Sequence, residues 1–337
     1  MATTHQGASG DVGPHPARIH REDRRTPEPG NPGTRTRESR TDGPSRNAFR
    51  RAVKRNLTAH GFLIGAVLCF SFFSWYPMVR EFLLAFQKTE GGATRWVGWD
   101  NFTYVFNDPS FWQAWRNTLL FTGLALVFGF AVPFVVAVVL NEFRHAQGYL
   151  RMLVYLPVMM PPVASILLFK YFYDPGYGLF NRVLEFLHLP AQDWLQSTDT
   201  AMFSVVLAST WMNMGGATLI YLAALQGIPG ELYEAAELDG AGLLRKVWHI
   251  TIPQTRLILS LLLLMQIIAT MQVFVEPFLL TGGAGPEGST TTVVVLIYQY
   301  AFNFNQYGGA AALGLCLLVL LAGFSALYVR LSRDNES

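Results

Sequence analysis

The chain has 337 residues, of which 51% are hydrophobic and only 14% charged, with a net charge of +2 and a mean hydropathy of +0.27. Soluble domains carry about 25% charged residues, so this composition excludes an ordinary water-soluble globular domain and places the chain in the membrane class. The two cysteines, Cys69 and Cys316, lie far apart in apolar stretches, where cysteine behaves as a small hydrophobe and no disulfide or metal framework is implied.

Residues 1–57 hold 12 of the 25 Lys and Arg, among Pro, Gly, Ser and Thr and almost no large apolar side chains. Such a stretch buries too little surface to offset its chain entropy and is expected to be disordered. It is too long and polar for the n-region of a cleaved signal peptide, and no small-residue cleavage site follows a short apolar core. We read it as a solvated cytoplasmic leader that holds the first span in orientation, in preference to a nucleic-acid- or lipid-binding arm. Residues 58–333 form the predicted membrane domain, and 334–337 a short C-terminal tail.

Six apolar runs follow, near 59–86, 118–141, 150–172, 202–226, 257–281 and 309–331. Each approaches the roughly 20 residues that a helix needs to cross hydrocarbon, so the expected fold is an all-α membrane protein of six transmembrane helices. Lys and Arg in the loops set the orientation. With the N-terminus inside, 19 of the 25 basic residues fall on the cytoplasmic side, and the outer loops keep only Lys88, Arg95, Arg116 and Arg182. Both termini are therefore expected in the cytoplasm.

The first outer loop, 87–117, is dense in aromatics, including Trp96, Trp99, Phe102, Tyr104 and Trp112, as expected of side chains at headgroup level. Asp108 and Pro109 read as the N-cap and first residue of a helix. In the third span Pro157, Pro161 and Pro162 withhold backbone donors and force a break, which is tolerated at membrane depth only inside protein or beside a cavity. The fourth span carries Asn213, and the fifth Gln266, Gln272 and Glu276. Polar groups inside spans face the bundle interior or a pathway. Amides beside aromatics suit neutral hydroxyls, so Asn213, Gln266 and Gln272 are the candidate substrate path, with interhelical hydrogen bonding as the alternative. Lys170 and Glu276, near the ends of their spans, are expected to reach for the interface.

Between the fourth and fifth spans the chain reads IPGELYEAAELDGAGLLRKVWHITIP, Ile228 to Pro253. Pro229 and Gly230 end the preceding helix. Glu231, Glu234 and Glu237 load the start of a new short one, where carboxylates favour the positive end of the macrodipole. Asp239-Gly240 signals a turn, and Ala241–Trp248 a second short helix. The result is a polar protrusion, on the cytoplasmic side by the charge rule, suited to docking. Gly283 to Gly288 matches GxGxxG, but it follows a membrane span instead of a strand, contains Pro286 and lacks the phosphate-loop lysine, so it is not a nucleotide site. The seven histidines show no metal-ligand spacing, and no nucleophile–base pair can be placed. No cofactor is expected, and ATP, if used, belongs to another chain. An autonomous channel or ion-coupled transporter would need gating charges or an intramembrane ion site, and acidic residues near mid-membrane are absent; a membrane-embedded enzyme would need a catalytic constellation.

Glu234-Ala235-Ala236, then Gly240, then Ile250-Thr251-Ile252-Pro253 resembles the Glu-Ala-Ala signature of bacterial ATP-binding-cassette importer permeases, with Ile252 where that pattern has Leu. The stretches VGWDNFTYVFNDPSFWQAWRNTLLFT (97–122), YFYDPGYGLFN (171–181), YLAALQGIP (221–229) and LLTGGAGPEGSTTTVVVLIYQYAFNFNQYGGAAALG (279–314) look like the carbohydrate branch of maltose- and glycerol-3-phosphate-type subunits. The resemblance covers roughly residues 60–332. It implies the type I importer permease fold in the bacterial cell membrane and one half of a sugar pore. Its implied partners are a second similar permease, a cytoplasmic ATPase dimer that performs the hydrolysis, and an extracytoplasmic solute-binding protein. Residues 231–248 would be the coupling segment. There Glu234 would pair with a basic group of the ATPase, Ala235 and Ala236 would allow close approach, and Asp239 and Gly240 would make the bend. Pro253 would preset the first turn of the fifth span. Glycerol-3-phosphate or another polyol is the alternative substrate, and no nucleic acid is involved.

Overall fold

The computed structural model describes residues 61, 63–90, 93–143 and 146–334; the leader expected at 1–57, and residues 335–337, lie outside the described residues. Contacts separate a segment Met1–Ile64 from the body Gly65–Ser337, whose architecture follows.

Helix α1 (Leu63–Leu84) is the most exposed span, with none of its apolar window buried. Its bulky side chains, such as Phe73 at 74% exposure, suit a lipid-facing wall. Next comes the one departure from an all-helical reading among the described residues, an antiparallel hairpin of β1 (Gln87–Glu90) and β2 (Ala93–Trp96) that pairs Lys88 with Arg95. Helix α2 (Asp100–Phe106) follows, and then α3 (Pro109–Glu142), which starts as its sequence dictates. Asp108 is extended and accepts the Ser110 amide at 2.8 Å, and Pro109 takes the first helical position.

The prolines of the third span divide it. Helix α4 (Gln147–Met159) ends at Met160, Pro161 is extended, and α5 (Pro162–Phe172) departs at 96°. Pro157 is accommodated inside α4. A surface helix, α6 (Leu179–Phe186), leads to α7 (Ala201–Gln226), the most enclosed span, with 44% of its window buried. Helix α7 packs against α3, α4 and α5, so the core is organised around it. At Gly215 the α4 backbone comes so close that a Cβ would stand 2.5 Å from the Val154 carbonyl oxygen.

Helix α8 (Gly230–Leu238) projects beyond α7. The separate second helix expected at Ala241–Trp248 is instead the opening of the fifth span. Helix α9 (Leu243–Lys246), a π turn (Val247–Thr251) and α10 (Ile252–Met271) succeed one another without a gap. The fifth span then breaks at Gln272–Phe274 and resumes as α11 (Val275–Leu280). Pro277 explains the break: it has no N–H for the carbonyl of Val273, four residues earlier, and its ring would clash there. That carbonyl accepts the buried Thr292 hydroxyl at 2.9 Å instead. A glycine-rich loop, α12 (Val293–Tyr298) and α13 (Tyr307–Asp334) complete the chain. Among the described residues five helices, and a sixth span if the bent pair α4–α5 counts as one, are long and apolar enough to cross a membrane.

Candidate functional site

Two arrangements carry the polar residues singled out from the sequence. The first is a cavity of about 320 Å³ between α3, α7 and the broken fifth span. It gathers Asn213 from α7, Gln266 from α10 and Gln272 from the break, so the three candidate path residues do share one space. Gln272 donates to the Ile268 carbonyl at 3.0 Å, while the Gln266 side-chain amide has no hydrogen-bond partner among the described residues. Gln266 fits because Gly129 faces it: a Cβ on Gly129 would lie 2.8 Å from the Gln266 Nε2.

Glu276, expected to reach for the interface, lines the same cavity. Its Oε1 accepts the Ser209 hydroxyl at 2.9 Å and the Asn213 amide at 3.3 Å. Ser209 and Asn213 are one turn apart on α7, and Asn213 also donates to the Ser209 carbonyl at 2.9 Å. The break before α11 is what turns Glu276 inward, and Pro277 was its signal in the sequence. The walls thus offer a carboxyl acceptor, free amide capacity and hydroxyls, and no Lys or Arg is among the described lining residues. Pro157, Pro161 and Pro162 do not line this cavity; their break positions α4 against Gly215.

The glycine-rich loop between α11 and α12 closes the bundle at the end where α3 begins. Gly282, Gly283, Gly285 and Gly288 all have positive φ, a conformation open to residues without a Cβ. Asn117 donates to the Gly288 and Thr291 carbonyls at 2.8 and 2.9 Å, and Gln113 to that of Glu287 at 2.7 Å. The GxGxxG match is therefore a structural corner tied to α3. Near it Tyr300 donates to Asp108. Burial raises the Asp108 pKa, but the hydrogen bonds from Tyr300 and Ser110 outweigh that and hold it below its ordinary value.

The second arrangement is the protrusion. On α8, Glu234 and Ala235 are exposed and Ala236 is half-buried. Asp239 caps the helix, and Gly240 turns the chain at φ +71°. Pro253 enters α10 directly behind the π turn. Leu238, Leu244 and Trp248 are 91, 84 and 71% exposed, so acidic and apolar groups face outward together. Lys246 donates to Glu237 at 2.7 Å and lowers its pKa by that hydrogen bond and its charge.

The body is thus a bundle of helices long and apolar enough to span a membrane, with a polar cavity between them and an acidic helix at one end. Residues 129–336 match the family described as the binding-protein-dependent transport system inner membrane component, and the chain belongs to that family. It is 33% identical over 281 residues to the probable ABC transporter permease protein YurN of Bacillus subtilis (strain 168), covering 82% of this chain and 96% of the relative. It is 32% identical over 268 residues, 79% of this chain and 85% of the relative, to the arabinooligosaccharides transport system permease protein AraP of the same organism. Its fold is similar to a chain of a bacterial alginate ABC transporter crystallised in complex with alginate pentasaccharide-bound periplasmic protein. There the TM-score is 0.72, the identity 25% and the coverage 84% of this chain and 96% of that one. The chain is thus an ABC importer permease of type I fold, a multi-pass integral membrane protein and a transporter subunit, not an enzyme. The arabinooligosaccharides permease and the alginate transporter are named for carbohydrates, the branch to which the motifs of this chain point.

Proposed function

We propose that this chain forms half of the translocation pore of an ATP-driven sugar importer. A second, similar permease would supply the other half, and an extracytoplasmic binding protein would deliver the sugar. With both termini and α8 on the cytoplasmic side, as the distribution of Lys and Arg favours, a separate ATPase dimer would grip α8. Glu234 would pair there with a basic group, beside the small Ala235 and Ala236.

The observation that carries the substrate reading is the convergence of Asn213, Gln266, Gln272 and Glu276 on one cavity, with the Gln266 amide unpaired. Amides both donate and accept, and a carboxylate only accepts; together they match a neutral molecule rich in hydroxyls. Glycerol-3-phosphate, the alternative, would meet the Glu276 carboxyl with no lining Lys or Arg to oppose its charge, so the cavity favours the sugar.

The test is reconstitution in vesicles. Uptake of the sugar bound by the cognate binding protein is expected only with the ATPase, the second permease and ATP present. Uptake by this chain alone would make it a channel or secondary transporter and overturn the proposal.

A further inference from the structure

The backbone route from α8 to α10 runs through Asp239–Gly242, with Gly240 at φ +71° and a second glycine at 242. Glycine resists bending least of all residues, so a push on α8 relayed by this turn alone would be lost in deforming it. Two side-chain contacts bypass the turn. Tyr233 and Thr251 share a hydroxyl–hydroxyl bond of 2.9 Å, and Lys246 donates to Glu237 at 2.7 Å.

The spacing of these four residues depends on the π turn. Tyr233 and Glu237 are four apart on α8 and therefore share a face. Lys246 and Thr251 are five apart, which in an α-helix would leave them about 140° out of line. Across Val247–Thr251, however, the helix is of π type, and the Ile252 amide bonds to the Val247 carbonyl. In that geometry residues five apart come back to the same side. The four-residue step on α8 thus meets a five-residue step on the span. Pro253 makes the widened turn cheap, because it has no N–H to form the α-type bond to the His249 carbonyl.

The two contacts are unequal. The Glu237 side chain is 63% exposed, although that of Lys246 is only 14% exposed, and an ion pair with one partner open to water contributes little. Thr251 is 3% exposed, and its carbonyl is held by the Thr255 hydroxyl at 2.7 Å, so Tyr233 is fastened to a fixed point of the fifth span.

We propose that the Tyr233–Thr251 hydrogen bond is the positioning contact that carries movement of α8 into α10, with the π turn setting its register. The proposal rests on the reading of α8 as the segment gripped by the ATPase. It is tested on the assembled importer in lipid nanodiscs, by hydrogen exchange with and without a non-hydrolysable ATP analogue, adenylyl-imidodiphosphate. In the unsubstituted protein the analogue is expected to change exchange in both α8 and α10. In Tyr233→Phe and Thr251→Val the α8 response persists, while the α10 response falls about fivefold, the equivalent of about 1 kcal/mol. The double variant falls no further than Thr251→Val, because the Tyr233–Thr251 bond is already lost in each single variant. An undiminished α10 response in both single variants overturns the latch and leaves the docking reading standing. Loss of the ATPase from the purified complex of either variant also overturns it, since the contact would then only shape α8. Absence of any α8 response in the unsubstituted importer overturns the docking reading, and the latch with it.

Discussion

Tyr300 donates its phenolic hydrogen to the carboxyl group of Asp108, 192 positions earlier in the chain. The same carboxyl group caps α3 through the Ser110 amide, so one side chain starts a span and pins the π turn, Gln299–Asn303, that continues α12. Its lowered pKa gives this tie a pH dependence. A depressed carboxyl contributes stability that is fully present above its unfolded value and is lost as pH falls through the folded one. Thermal melting of the purified protein is expected to drop as the pH falls below 3.8, the ordinary value for this group. Asp108→Asn should be less stable at neutral pH and should show less of that acid loss. Tyr300→Phe should destabilise by about 1 kcal/mol, and identical melting curves for all three proteins would refute the tie.

Asn117 is 7% exposed and satisfies two carbonyls of the glycine-rich loop. Asn117→Ala leaves the Thr291 carbonyl short of a donor in a buried place, while that of Gly288 keeps the Thr291 amide at 3.1 Å, a loss of about 1–3 kcal/mol. Melting in detergent should show it, together with faster proteolysis within 282–291. Unchanged melting would mean that the corner holds itself.

At Gly215 the neighbouring backbone leaves no room for a Cβ. Gly215→Ala is expected to push α4 from α7 and to destabilise by about 1–3 kcal/mol. Gly216→Ala, next to it but with open space around its Cβ position, is expected to be tolerated. A larger effect at 216 than at 215 would contradict the packing described.

In the cavity, Asn213→Ala, Gln266→Ala and Gln272→Ala should each raise the sugar concentration for half-maximal uptake about fivefold, as expected for losing one hydrogen bond to substrate. The amount of ATPase co-purified should not change. Unaltered uptake kinetics in all three would take the cavity off the sugar's path.

On the protrusion, Glu234→Lys is expected to abolish uptake with membrane insertion intact, because an exposed surface change costs the fold little. Gly240→Pro should do the same for two reasons. Proline cannot take φ +71°, and it removes the amide that bonds to the Glu237 carbonyl at 3.0 Å. Normal uptake by both variants would end the coupling reading of α8.

Much of this was legible in the residues because some side chains dictate local geometry wherever they stand. Asp108-Pro109 announced the start of α3, Pro161-Pro162 the break in the third span, and Asp239-Gly240 the turn after α8. Apolar runs placed the spans but not all of their ends. Helix α9, the π turn and the first turns of α10 carry Arg245, Lys246, His249 and Arg256, so a hydropathy reading begins the fifth span near 257 although the helix begins at Leu243. The inward turn of Glu276 was missed because nearness to a span's end says nothing about direction once the helix is broken. Gly129 was overlooked since its importance lies in what faces it, Gln266, 137 positions later. Register devices such as the π turn leave no mark in composition, because they answer to contacts across the fold.

The gap between α10 and α11 is bridged by the Thr292 hydroxyl, which donates to the Val273 carbonyl. Straightening the helix there would strand that hydroxyl and drive the Pro277 ring into the same oxygen. The break in the fifth span is therefore held by the residue that caps α12. Helices on either side of the glycine-rich loop thus share one fastening, and Glu276, at the start of α11, owes its seat in the cavity wall to a hydroxyl that belongs to the next helix.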